Sequence, residues 1–280
     1  MNDGSPRVEA GVCVSWPLPA DATCAGIARH LFRCAAEGLS LDTELVYDGV
    51  TMVSELAANT RHARCEPGLM APELWLYLRG HGERQELVCK VFDCYQGWPP
   101  RSGPFEPGRR VPVGATSGRG LEVVHALSHG RWGCHLTRAR LGGWAVRGKV
   151  VWFALPAADK ANNPNPLTGR LARMTASEAM TELEAGFAAR GFGGKVARTD
   201  DPSADMAVLS ICTGLTVWCR AGLAWLRAPG VSGHWGYGDL IEVGELATQA
   251  YETLSETART DGLAGTTRTG RYQSPAASSP

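Results

Sequence analysis

The chain has 280 residues, enough for one large domain or two ordinary ones with a substantial core. Its 28 basic and 28 acidic residues cancel, so there is no electrostatic footprint for direct nucleic-acid binding or for an anionic membrane surface. No charged leader precedes an apolar stretch and no run reaches membrane-spanning length, so a cytoplasmic protein with no membrane partner is expected.

Residues 1–10 are polar and read as a flexible N-terminus. Val12, Val14 and Trp16 alternate as a strand does, up to Pro17. Asp21 is placed to cap a helix running to about Glu37, with Ala28, Leu31, Phe32 and Ala35 on one face and Gly38 as its stop. From Leu41 to Arg64, Leu45, Val46, Val50, Val53, Leu56 and Ala57 recur at helical spacing and should face a sheet. Leu74–Leu78 and Leu87–Phe92 read as strands joined by a turn at Gly80–Gly82. The stretch 98–117 is rich in Pro and Gly, carries Arg101, Arg109 and Arg110, and is too long for a simple connection. A helix begins near Gly118, and Gly130–Thr137 and Lys149–Leu155 read as further strands.

Residues 158–168, with Asn162, Asn163, Pro164, Asn165 and Pro166, form the clearest linker. It divides a first domain (11–157) from a small α+β domain (169–258). In the latter, Thr175 and Glu178 form a capping-box pattern for a helix to Arg190, stopped by Gly191. Met206–Ile211 and Leu215–Cys219 read as a hairpin around Thr213-Gly214, and Asp239–Leu254 as an amphipathic, acidic helix. Trp218, Trp225 and Trp235 are read as core in preference to interface. Residues 259–280 have the composition of a disordered tail. None of the nine cysteines has C-x-x-C spacing, so reduced, mostly buried thiols are expected.

Three groups of residues have chemical potential. Glu55 and Asn59, four apart, share one face of the long helix, offset from its apolar stripe. A carboxylate that orients a nucleophile beside an amide oxygen that ligates a hard cation suits magnesium-dependent phosphoryl transfer, although the same spacing also fits a solvated face. Asp93 ends a strand, where an acceptor-only carboxylate can read the exocyclic amine of adenine, and Gly97 permits close backbone approach. Gly118, Arg119, Gly120 and Leu121 stand at a helix start, where backbone N–H groups and the helix dipole favour phosphate.

These groups occur in a telling order. VSELAANTRHA (53–63) resembles the N box of the GHKL, or histidine-kinase-like, ATPases; VFDCYQG (91–97) resembles their G1 box, and TSGRGLEVV (116–124) their G2 box. The likeness is nearest to the anti-sigma-factor serine kinases, over about 145 residues. It implies an α+β chain whose first domain is a two-layer α/β sandwich, the Bergerat ATP-binding fold, with ATP and Mg as cofactors. It further implies Glu55 as the catalytic carboxylate and Asn59 as the magnesium ligand. Asp93 would contact adenine and Gly97 would shape the turn around it. Gly118, Arg119, Gly120 and Leu121 would meet the phosphates under a lid of residues 98–117, and His62 would be structural. The first glycine of the family's D-x-G-x-G pattern is Tyr95 here, a side chain that would narrow the adenine pocket.

The resemblance implies an ATP-binding regulatory protein: a Mg-ATP-dependent serine/threonine kinase acting on a STAS-type anti-sigma antagonist and controlling a sigma factor by partner switching. A homodimer is the form common among such relatives. The alternative is a non-catalytic, ATP-gated binding module or sensor that sequesters a regulatory partner. A histidine kinase proper is not expected, since no helix pair carrying a phospho-accepting His precedes Glu55.

Overall fold

The computed structural model describes residues 7–60, 71–94, 119–141, 146–157, 170–171, 173–192 and 196–266. The chain is α+β. In the first half, β1 (Cys13–Pro17), α1 (Cys24–Gly38), α2 (Thr43–Thr60), β2 (Glu73–Arg79) and β3 (Glu86–Asp93) are followed by α3 (Gly120–Leu127), β4 (Trp132–Arg138) and β5 (Arg147–Pro156). The sheet has the order β1-β2-β3-β5-β4, and each neighbouring pair is antiparallel. Strand alternation sends Leu74, Leu76, Leu87, Cys89, Phe153 and Leu155 to one face. There they share a core with Phe32 of α1, Val53 and Leu56 of α2, and Val124 of α3.

The expected elements lie close to their positions, with differences at the ends. Asp21 does not cap α1. Its Oδ1 accepts from the Thr23 backbone N–H at 2.8 Å and from Thr23 Oγ1 at 2.5 Å, closing a local turn that delays the helix to Cys24. After α1 it is Ser40, not Gly38, that takes the left-handed conformation, with φ of 53°. The linker at 158–168 lies outside the described residues, as do the last residues of the long helix read to Arg64.

The second half comprises α4 (Ala176–Phe187), β6 (Ala197–Asp201), β7 (Met206–Cys212), β8 (Leu215–Arg220), β9 (Leu223–Ala228), β10 (Val231–Gly236) and α5 (Leu240–Thr266). The five strands form an antiparallel meander. The capping box holds: Glu178 N–H donates to Thr175 Oγ1 at 3.2 Å, and Thr175 N–H to Glu178 Oε2 at 2.7 Å. Sequence reading finds β7 and β8 but misses β6, β9 and β10. The β8–β9 turn is Ala221-Gly222 with both φ positive, and Ala stands where such turns usually carry Asn or Asp. Trp235 packs on the second core as expected. Trp218 and Trp225 do not, since they stack in parallel, 6.2 Å apart, on the opposite face of the meander. Helix α5 continues to Thr266, past the start of tail-like composition at 259.

Helix α5 lies between the two sheets. Leu240, Val243, Ala247 and Ala250 belong to the core beneath the meander, while Ile241 packs on Tyr77, Val88 and Ala154 of the first sheet. The first sheet is therefore covered on both faces, where a two-layer sandwich alone would leave one open. Glu242, Glu245 and Glu252 recur along one side of α5 and are drawn into that second face. Glu242 accepts from Tyr77 Oη at 2.5 Å and Arg79 Nη1 at 3.0 Å. Glu245 accepts from Lys90 Nζ at 3.0 Å, Arg140 Nη1 at 2.8 Å and the Arg190 guanidinium. Glu252 accepts from Arg138 Nε at 2.5 Å and from Arg147. Burial, with the Arg190 and Arg140 guanidinium groups nearby, holds the Lys90 ammonium down at about 7. Burial, then the adjacent Lys90, holds His135 at about 3, so this imidazole is neutral in the fold.

Removing Glu245 takes the carboxylate partner from the buried Lys90 and Arg190 and the half-buried Arg140, whereas removing Lys90 leaves Glu245 with two partners. Glu245→Ala is expected to cost about 3–5 kcal/mol in urea denaturation, and Lys90→Met far less; equal costs would contradict this seam. The pH dependence has a definite sign. Unfolded chains protonate His135 near 6.5, and the folded chain only near 3, so stability falls as pH drops through that window. The urea midpoint is expected to be lower at pH 5 than at pH 7, and His135→Gln should flatten part of that difference.

Candidate functional site

Helix α2 presents Glu55 half-buried and Asn59 exposed, one turn apart, on the flank next to α3. Helix α3 starts at the buried Gly120, and this glycine lies directly on both side chains. A Cβ there would sit 2.6 Å from Glu55 Oε2 and 3.5 Å from Asn59 Nδ2. Two stretches more than sixty residues apart in sequence thus meet at one point. A side chain at this position would displace the end of Glu55. Leu121 packs its side chain on the core shared by α1, α2 and α3, which fixes the start of the helix. Arg119 precedes α3, exposed, with helical backbone angles and no side-chain cap.

Glu122 N–H and Val123 N–H already donate to Arg119 O at 3.0 and 3.1 Å, while the N–H groups of Gly120 and Leu121 have no acceptor within the helix, whose dipole favours an anion at this end. A carboxylate, an amide oxygen and a helix N-terminus are therefore brought together. Among the described residues no cluster of three or more His, Cys, Asp or Glu could hold a metal. A magnesium ion needs no such cage, because it keeps several waters and relies on one or two protein oxygens plus substrate phosphates. Asn59 fits as one of those oxygens.

Asp93 closes β3 and is nearly buried. In the β3–β5 register it faces Lys149, whose Nζ donates to Oδ1 at 2.6 Å and Oδ2 at 2.7 Å. The pair fixes the orientation of the carboxylate. Gly148, the neighbour of Lys149, is required beside it, since a Cβ there would come within 2.2 Å of the Asp93 backbone oxygen. Sequence reading singled out neither Lys149 nor Gly148. Their connection to Asp93 runs through strand pairing across 56 residues, and no local spacing rule encodes it.

Gly97, Gly118, Tyr95, His62 and the stretch 98–117 lie outside the described residues. Cys94, next to Asp93, corrects the expectation of reduced thiols, for it is disulfide-bonded. The other seven described cysteines are free. The expectation rested on the lack of C-x-x-C spacing, which is blind to partners brought together by the fold.

The two glycines differ in what surrounds them. Gly148→Ala meets backbone and the Phe92 ring, and is expected to cost about 1–3 kcal/mol as overpacking. Gly120→Ala meets the mobile end of Glu55 and should cost less, which paired urea titrations would check. Neither a protein-family model nor a curated protein matches the chain.

Proposed function

We propose that the protein is an ATP-binding regulator of the GHKL type, with a Bergerat arrangement in its first half. In this reading it uses Mg-ATP to phosphorylate a Ser or Thr of a STAS-type antagonist, and so controls a sigma factor by partner switching. One observation carries it: Gly120 of the third motif lies against Glu55 and Asn59 of the first, with the N-terminus of α3 beside them. Phosphoryl transfer depends mainly on positioning and charge stabilisation. Glu55 orients and deprotonates the attacking hydroxyl, Asn59 holds magnesium, and the α3 N-terminus with Gly118, Arg119 and Gly120 receives the phosphates. Asp93, held by Lys149, accepts from the adenine amine.

A second reading is a non-catalytic, ATP-gated module that sequesters a partner. The seam favours it, because a whole second unit is fixed to the back of the same sheet through Glu242, Glu245 and Glu252.

Labelled ATP, magnesium and a purified STAS protein separate the two. Transfer of label to the STAS protein is expected, with loss in Glu55→Ala. Asn59→Ala is expected to weaken magnesium-dependent ATP binding at least about tenfold, or 1.4 kcal/mol. Tight ATP binding without transfer would leave the second reading, and no ATP binding would end both.

A further inference from the structure

A cavity of about 140 Å³ opens where the two halves meet. Val12, Leu183, Phe187, Leu240 and Ile241 give it apolar walls, while Arg140, Arg190 and Thr248 line it with polar groups. A rim pair, Arg170 with Glu182 at 2.8 Å, neutralises itself. A second recess, of about 320 Å³, reaches Arg140 and Arg190 from the side of Ser15 and Ala189, and Gly186 borders both spaces.

Glu245 is shared by Lys90, Arg140 and Arg190, three cations on one carboxylate. The next carboxylate, Glu73, is engaged by the backbone N–H groups of Arg140 and Leu141 and by Trp75 Nε1. Arg190 is 3 % exposed, yet its Nη1 reaches only Thr248 Oγ1, and its Nε has no acceptor among the described residues. Burial, and Arg140 beside it, pull its pKa well below the ordinary value. Paired with Glu245 on one side, this guanidinium keeps its Nε donor for a further acceptor at the edge of an apolar space.

We propose that this cavity binds a small aromatic monocarboxylate of the benzoate class. Its ring lies among Leu183, Phe187, Leu240 and Ile241, and its carboxylate meets Arg140 and Arg190. Size favours this class, since an apolar protein cavity near 150 Å³ is known to take benzene. Chemistry favours it too, because a planar guanidinium pairs with a carboxylate through two parallel hydrogen bonds. Val12 and Arg140 belong to the first half, and α4 and α5 to the second, so the ligand joins the halves. It therefore stabilises the docked chain by mass action. This inference does not depend on the nucleotide reading.

Thermal melts of the full chain at fixed ionic strength test it. Benzoate is expected to raise Tm by about 5 °C at a hundredfold excess over its Kd, while acetate and toluene at the same concentration do much less. Gly186→Leu is the informative variant. A Cβ at Gly186 meets nothing within 4 Å, so the new side chain grows into the space, and Leu is a better helix former than Gly. It should melt at or above the parent and no longer respond to benzoate. Equal responses to benzoate and acetate, or an undiminished response in Gly186→Leu, would overturn the proposal. So would the absence of saturation-transfer NMR signals from benzoate with the parent chain, a readout independent of how the variant folds.

Discussion

The molecule is organised around three carboxylates of one helix buried against the back of a sheet. Glu242, Glu245 and Glu252 of α5 leave water only because Tyr77, Arg79, Lys90, Arg138, Arg140, Arg147 and Arg190 converge on them. Such an arrangement contributes little net stability compared with an apolar one of the same shape, because desolvation offsets most of the Coulomb gain. Its effect is on register. A helix that slid by one turn would leave several charges buried and unpaired, so α5 has one permitted position. The apolar contacts of Ile241 and of Val243 on opposite sides of the helix then hold both sheets to that position.

The same sheet positions the candidate site on its other face. Strand β3 sends Lys90 to the seam and, three residues on, ends in Asp93, held by Lys149 of β5. Helices α2 and α3 cover this face, and their closest approach is at Gly120, where Glu55 and Asn59 meet the start of a helix. Site and seam thus share strands without sharing side chains. Both depend on a sheet whose outer layers are fixed by different chemistry: apolar packing on the helix side and buried ion pairs on the other.

Much of this was legible in sequence where the signal is local. The 3.6-residue stripe of α2, the alternation leading into β1, the capping box at Thr175 and the Thr213-Gly214 turn each come from side chains within a few positions of one another. The signal fails where identity and role diverge. Asp21 carries a capping side chain but uses it on Thr23, Ala221 takes a glycine-like conformation, and β6 lies in a polar run with little alternation. The stacked Trp218 and Trp225 look like core residues by size, yet the parity of β8 and β9 puts them on the outer face.

The sequence by itself determined the α+β class, the order of elements in the first half, and the shared face of Glu55 and Asn59. All of these follow from periodicity and short-range backbone preference. Tertiary structure alone decided that Gly120 closes on that face, that Lys149 orients Asp93, and that Glu245 and Glu252 of α5 are buried. The reason is the same in each case. These pairs are set by strand register and helix docking across tens to more than a hundred residues. Such distances are fixed by the packing of whole layers, and no local pattern of residues encodes them.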